Sequence, residues 1–384
     1  MRSQPLRIRI GDDGTIEVID PSPDEVALLR DIDPGFRLPQ AALPGFSGVP
    51  RLLATRRTAT GVGSFELDKI SINELWRAHD DALRVSAVEF LDGGASLLDL
   101  KIELARRSLR RCDLCARRCG VDRAHGERGV CGLGPEATVA DAYLHVGEEA
   151  EIAPAFTLAL AGCGLHCRFC QQYQLLAPEQ VAGRRLDTAI WGAAGLSTAR
   201  SLSFNGGNPD ENLHAVLRFL AGAPESLTVP LVWKTHSYVL PHSIRLLDGV
   251  VDCYLPDLKW GNDRCGRKLS RVADYPRIAV SAITEMVRQG VPVIVRLLIV
   301  PGHVDCCHLP TLDGLAEIAA NAAVPIILSI RDQYAPDYLV QPGEGHLCRR
   351  PNGAEIEQVA GHASRLGLIR TGEVDFPRIG GHLW

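Results

Sequence analysis

From about residue 155 the chain alternates short apolar runs with helical stretches, and that rhythm restricts it to a parallel α/β sheet. The runs are TLALAG (157–162), SLSFN (201–205), VPLVWKT (229–235), VVDCYLPDLKW (250–260), VPVIVRLLIV (291–300) and VPIILSI (324–330). Between them lie ENLHAVLRFLAG, PHSIRLL, RIAVSAITEMVRQG and TLDGLAEIAANA, which read as helices. Six strands joined by connections of crossover length point to parallel pairing. The spacing suits an open or partial barrel of six β/α units better than a doubly wound sheet, although periodicity alone leaves that choice open.

Upstream the pattern is different. LRIRI and TIEVI around GDDG predict a short hairpin, because Gly and Asp supply the turn. SPDEVALLRDI predicts a capped helix with acidic residues in its first turn. Residues 34–50 are rich in Pro and Gly and predict irregular chain. SINELWRAHDDALRVSAVEFL and SLLDLKIELARRSLRR predict two more helices, the first of them amphipathic. Three parts result: an N-terminal α+β extension (1–105), a cysteine-rich metal-binding segment (106–150) and an α/β core (151–384). The extension is a candidate docking domain for a substrate or partner.

The formal net charge of −5 and pI near 6.2 give no reason to expect nucleic acid as a partner. The arginines crowded around the first cysteines (Arg106, Arg107, Arg110, Arg111, Arg117, Arg118) read as a solvated helix face. No apolar run reaches the ~18–20 residues needed to cross a bilayer, and MRSQPLRIRIGDDGTIEV has no apolar export core. The expectation is a cytoplasmic protein without a membrane partner. In that reducing setting its 12 cysteines serve metal binding or redox chemistry rather than a disulfide framework.

Seven of those cysteines fall between Cys112 and Cys170, a clustering that marks a site. AGCGLHCRFCQQY directly follows the first core strand and spaces Cys163, Cys167 and Cys170 by three and then two residues. Residues just past strand C-termini form the active face of parallel α/β folds. Three thiolates on one short loop can bind three irons of a cubane and leave the fourth iron open. Structural zinc takes four protein ligands, and no fourth Cys or His follows at finger spacing. His166 is flanked by two of the ligands and reads as incidental.

Cys112, Cys115, Cys119 and Cys131 form a second group, with Gly120, Gly126, Gly129, Gly132 and Gly134 allowing sharp turns. Four thiols suit zinc or a closed iron–sulfur cluster alike, with an electron relay as the functional alternative. Cys265, Cys306 and Cys307 lie past strand ends on the expected active face. They could hold a further metal or donate a hydrogen atom, but adjacent cysteines are poor co-ligands, and buried free thiols are the expectation. Cys253 in a strand and Cys348 in a loop support no functional role.

CGLHCRFC resembles the CxxxCxΦC signature of radical S-adenosylmethionine enzymes, with Phe169 in the aromatic slot. The resemblance runs from about residue 105 to 350 and is closest to iron–sulfur proteins related to the pyruvate formate-lyase-activating enzyme. It is carried by RRCDLCARRCGVDRAHGERGVCG, FNGGNPDENL, LVWKTHSYV, VDCYLPDLKWGNDRC, VIVRLLIVPGHVDCC and SIRDQYAP. The resemblance implies a partial (β/α)6 barrel with a 4Fe–4S cluster on Cys163, Cys167 and Cys170. The open iron would bind S-adenosylmethionine and cleave it reductively to a 5′-deoxyadenosyl radical that abstracts hydrogen from substrate. It further implies that Phe169 lies beside the adenine and that GGNP (Gly206, Gly207, Asn208) receives the methionine amino group. Asn208 stands where the family has an acidic residue; its amide oxygen still accepts a hydrogen bond, without charge assistance.

By the same resemblance Asp257 and Lys259 of DLK hold the methionine end, Lys259 suiting its carboxylate. Arg296 is a further candidate there, with an internal salt bridge as the other reading. Lys234 and His236 end the third core strand as substrate contacts or solvated strand ends.

The partners expected are an electron donor of flavodoxin or ferredoxin type and an unidentified protein, peptide or small-molecule substrate. A glycyl-radical-enzyme activase is one version of this reading. Its ferredoxin-like cysteines would follow the core motif, whereas here the extra cysteines precede it. An electron-transfer or redox-sensing iron–sulfur protein is the alternative of another class, but such a carrier has no use for GGNP and DLK.

Overall fold

The computed structural model describes residues 8–10, 16–18, 43–84 and 93–371. The hairpin is present as β1 (Ile8–Ile10) and β2 (Ile16–Val18), paired antiparallel. The helix expected over 22–32 lies outside the described residues, as does most of the 34–50 stretch. Next come α1 (Arg51–Arg57), β3 (Ala59–Gly63), α2 (Ile72–Arg84), β4 (Gly94–Ser96) and α3 (Leu97–Arg110). Ser96 starts α3 with a capping box: its hydroxyl accepts the Asp99 amide, and the Asp99 carboxylate accepts the Ser96 amide. Every third or fourth residue of α3 turns inward, so Leu97, Leu100, Leu104 and others join the main core. α3 runs unbroken through residue 105, and the extension's helices share one core with the sheet.

A nine-stranded mixed sheet follows. β5 (Thr138–His145) pairs antiparallel with β6 (Ala155–Leu160) and with the short β7 (Arg184–Arg185). From β6 onward the strands are parallel and adjacent in chain order: β8 (Ser201–Gly206), β9 (Leu231–Thr235), β10 (Cys253–Pro256), β11 (Val293–Leu298), β12 (Ile326–Arg331) and a last short β13 (Ile369–Arg370). Crossovers carry α4 (Ala194–Thr198), α5 (Leu213–Ala221), α6 (Pro241–Arg245), α7 (Asp263–Ser270), α8 (Tyr275–Arg288), α9 (Leu309–Ala319) and α10 (Gly353–Arg365). All six apolar runs become strands. The antiparallel β5 and the helices α7 and α10 have weaker sequence signals, being half-polar on their exposed sides.

Alternation along the strands separates two cores. Leu231, Trp233, Tyr254, Val293 and Val295 belong to the main core, whereas Val232, Cys253, Leu255, Ile294 and Ile327 form a small core with Leu43 and Ile152. Ile152 arrives on the segment between β5 and β6, so that segment closes over one face of the parallel strands.

Candidate active site

The C-terminal ends of all six core strands open into one cleft. Counting its mouth it encloses about 1040 Å³ of empty space, at the upper end of small-molecule sites. The cleft is lined by Cys163, Cys167 and Cys170 from the loop after β6, and by Asn208 after β8. Phe169, Gly206, Gly207, Asp257, Lys259 and Arg296 line it too, whereas Cys265, Cys306 and Cys307, expected on the same face, do not.

The cysteine loop is held from several sides. Cys167 Sγ lies 3.0 Å from the Ser270 hydroxyl at the end of α7. Gly164 donates its amide to Glu211 Oε1 at 2.8 Å, and its carbonyl accepts Arg117 Nε at 2.8 Å. A Cβ on Gly164 would fall on that Glu211 oxygen. His166 is turned away from its neighbouring thiols, with Nε2 3.2 Å from the Val130 carbonyl. Burial pushes the Cys170 thiol up to about 11, and burial with the Glu211 charge raises Cys163 well above the ordinary thiol range. These thiols are therefore neutral until a cation draws off their protons.

Gly206 has φ +100°, and a Cβ there would collide with the Leu160 backbone; one on Gly207 would meet the Gly162 carbonyl. Close packing against the β6 end alone demands both glycines. Asn208 is fully engaged. Its Nδ2 donates to Asp210 Oδ2 (2.9 Å) and Glu211 Oε2 (2.6 Å), while Oδ1 accepts the His236 amide (3.1 Å). Its amide oxygen thus already has a donor. Asp210 and Glu211, both buried, put acidic charge one turn beyond the position where it was sought. The letters PDE after GGN were the signal for them.

Asp257 and Lys259 form an ion pair at 2.7 Å beside the thiols. Lys234 and His236 are not solvated strand ends: each is only 5% exposed and paired, Lys234 with Glu148 and His236 with Glu211 at 3.1 Å. For Lys234 the correction follows from the segment between β5 and β6, which brings Glu148 and Glu149 against the strand ends, and for His236 from Glu211 on the turn after β8. Arg296 reaches Glu149 at 2.8 Å and Glu148 at 3.0 Å, so its internal salt bridge is real, and Arg331 joins Glu149 at 2.7 Å. Neither glutamate nor Arg331 stood out in the sequence.

The cysteine-rich segment abuts this loop. Cys112 donates its amide to Val121 O (2.9 Å) and accepts from the Gly120 amide (3.0 Å), closing a tight knuckle. Burial raises Cys112 and Cys115; the Glu211 charge and then the neighbouring Cys131 and Cys112 thiols add to the effect on Cys115. Among the described residues, one group brings three or more metal-binding atoms all within 4.8 Å of one another: Cys265, His303, Cys306 and Cys307. Three of these are the cysteines expected as buried free thiols, and His303, which stands beside them in PGHVDCC, was missed.

Fold and site together define a mixed α/β protein, largely parallel, that gathers thiols at the C-terminal ends of its strands. Its family follows from one relative. Over 317 residues, 79% of this chain and 90% of that protein, it is 30% identical to the uncharacterized protein MJ0674 of Methanocaldococcus jannaschii. The chain belongs to the family of that protein. No protein-family model matches it. Among solved structures it is similar to HydG, a maturase of the [FeFe]-hydrogenase, at 10% identity and a TM-score of 0.41, over 79% of this chain and 63% of that one. It is also similar to Streptococcus suis SuiB, at 12% identity and a TM-score of 0.35, over 56% and 46%. The chain spans less than two thirds of either solved structure. Among the described residues no helix is long and apolar enough to cross a membrane.

Proposed function

We propose that the chain is a radical S-adenosylmethionine enzyme built on a partial (β/α)6 barrel, with a 4Fe–4S cluster on Cys163, Cys167 and Cys170. One observation carries this reading: three thiols on one loop face a cleft made by the C-terminal ends of six parallel strands. The donor set fits the cluster, since three thiols serve three irons and no other cysteine lines the cleft. When bound, the cluster and S-adenosylmethionine supply reductive carbon–sulfur cleavage and a carbon radical that takes hydrogen from substrate.

The chain's own residues bind and orient. Lys259, steered by Asp257, offers an ammonium to a carboxylate. Arg296 and Arg331 keep the far wall cationic while Glu148 and Glu149 hold them in place. Phe169, packed on Trp260 and Tyr334 with centroids 5.8 and 5.3 Å away, forms an apolar wall for a flat ring and helps exclude water. The substrate is an unidentified protein, peptide or small molecule, and a flavodoxin- or ferredoxin-type donor supplies the electron. The thiols of Cys112, Cys115, Cys119 and Cys131 supply a four-cysteine donor set that suits zinc or an auxiliary iron–sulfur cluster.

The test is to purify the chain anaerobically, reduce it with dithionite, add S-adenosylmethionine and quantify 5′-deoxyadenosine. A variant with Cys163, Cys167 and Cys170 all changed to Ala runs alongside. Product from the unaltered chain alone supports the reading. A loaded, reducible cluster that does not bind S-adenosylmethionine overturns it in favour of electron transfer.

A further inference from the structure

Behind Phe169, away from the three thiols of the cleft, a second set of ligands converges from two different loops. Cys265 opens α7 after β10; His303, Cys306 and Cys307 follow β11. Cys265 Sγ lies 3.4 Å from His303 Nδ1, Cys306 Sγ lies 3.5 Å from the same nitrogen, and the Cys306 and Cys307 sulfurs are 3.9 Å apart. We propose that these four side chains bind one zinc ion as a closed Cys3His site.

The distances carry the assignment. Tetrahedral zinc, with Zn–S about 2.3 Å and Zn–N about 2.0–2.1 Å, sets sulfur–sulfur edges of about 3.8 Å and sulfur–nitrogen edges of about 3.6 Å. The observed separations match both. A disulfide between the adjacent cysteines would need sulfurs about 2.05 Å apart. A cubane cluster, taking one thiolate on each iron, would spread its ligands more widely than this group.

Adjacent cysteines are ordinarily poor co-ligands, and the backbone shows how the difficulty is met. Val304–His308 form a wide π-turn in which the Cys307 and His308 amides both donate to the His303 carbonyl, at 3.0 and 3.1 Å. Such widened turns recur at functional sites. A single side chain then orients the ligands. Asn262 Oδ1 accepts the Cys265 amide at 2.9 Å; its Nδ2 donates to the Cys306 carbonyl at 2.6 Å and reaches Cys307 Sγ at 3.3 Å. Outer contacts of this type fix metal ligands in place. Free thiols in a packed core do not explain an exposed Cys306 turned towards an imidazole and two other thiols.

The ion would staple the β10–α7 loop to the β11–α9 loop. Trp260 stands between the two sites, its ring 5.8 Å from Phe169 and 5.7 Å from His303, and its Nε1 donates to the same Ser270 hydroxyl that touches Cys167. The role is structural: four protein ligands leave no open position. The site does not depend on the radical reading, because it shares no ligand with the cleft.

The measurement is zinc and iron per chain in the full-length protein purified anaerobically, compared with a Cys306→Ala, Cys307→Ala variant and with His303→Cys. The expected result is one zinc equivalent lost in the double variant with iron unchanged, and zinc retained in His303→Cys. Absorption at the zinc edge should show the retained ion moving from mixed sulfur–nitrogen to all-sulfur ligation. Any zinc on Cys112–Cys131 would remain in both variants and cancel in the difference. Equal zinc in the unaltered chain and the double variant would overturn the site. Loss of one iron instead of zinc would overturn the metal assignment. If the double variant fails to fold, an unchanged edge spectrum in His303→Cys decides against the proposal.

Discussion

Glu211 accepts the Gly164 amide at 2.8 Å, so a buried carboxylate on the turn after β8 holds the cysteine loop after β6. The same carboxylate receives Asn208 Nδ2 and lies 3.1 Å from His236 Nε2. Glu211→Ala would leave a buried amide without its acceptor, at a cost of about 1–3 kcal/mol. The loop should also lose its set position. Denaturant unfolding of the metal-free protein and iron per chain after reconstitution should fall together. An unchanged iron content would show that the loop positions its thiols without this carboxylate.

Asn208 suggests a second experiment. At this position the chain places an amide that donates to two carboxylates at once. Burial and the adjacent Glu211 raise Asp210, whereas His236 holds Glu211 below the usual range against the effect of burial. Asn208→Asp would remove both donors and add a third buried carboxyl. The expected outcome is a loss of about 3–5 kcal/mol at pH 7, partly recovered at lower pH as one carboxyl protonates. Thermal melts at pH 7 and pH 5 measure it. An Asn208→Asp chain as stable as the original would mean that acidic charge at this position is tolerated and that the amide is incidental.

These two residues show what could be read before the fold was known and what could not. The loop cysteines, GGN and DLK were legible because each is a local pattern at the end of a strong apolar run. Glu211, Glu148, Glu149 and Arg331 carry no local pattern. Their importance arises only when β5 returns antiparallel and its following segment meets the strand ends. Lys234 looked like a solvated strand end for the same reason: its partner is 86 residues away in sequence. His303 was hidden because Cys306 and Cys307 were read as free thiols; the π-turn of Val304–His308 brings it together with them. The boundary drawn at residue 105 falls inside α3, whose capping box and inward leucines were legible but whose burial against the sheet was not.

Lys234 yields a third expectation. It is buried with Glu148, which also meets Arg296 and His145. Lys234→Met should cost about 3–5 kcal/mol, since it leaves a buried carboxylate short of one cation. Pairing it with Glu148→Gln should restore part of the loss, and a double-mutant cycle in denaturant reads the coupling. Strict additivity would mean that the two side chains do not interact in solution and would return Lys234 to the role of a free substrate contact.

The last expectation concerns acid. Burial works to raise Glu149, but the guanidiniums of Arg296 and Arg331 overcome it and hold the carboxyl at about 2, from an ordinary 4.5. Between those values the unfolded chain takes up a proton that the folded chain refuses. The contribution of Glu149 is therefore complete above pH 4.5 and is lost as the pH falls through 4.5 towards 2. Denaturation midpoints measured from pH 6 down to pH 3 should decline, and Glu149→Gln should decline less steeply. At pH 7 that variant should already be the less stable of the two, because Arg296 keeps only Glu148 and Arg331 loses its carboxylate. Glu148 is present in both proteins and cancels in the comparison. Parallel curves would show that the ion pairs around Glu149 contribute nothing to acid sensitivity, and the far wall of the cleft would then need another source of rigidity.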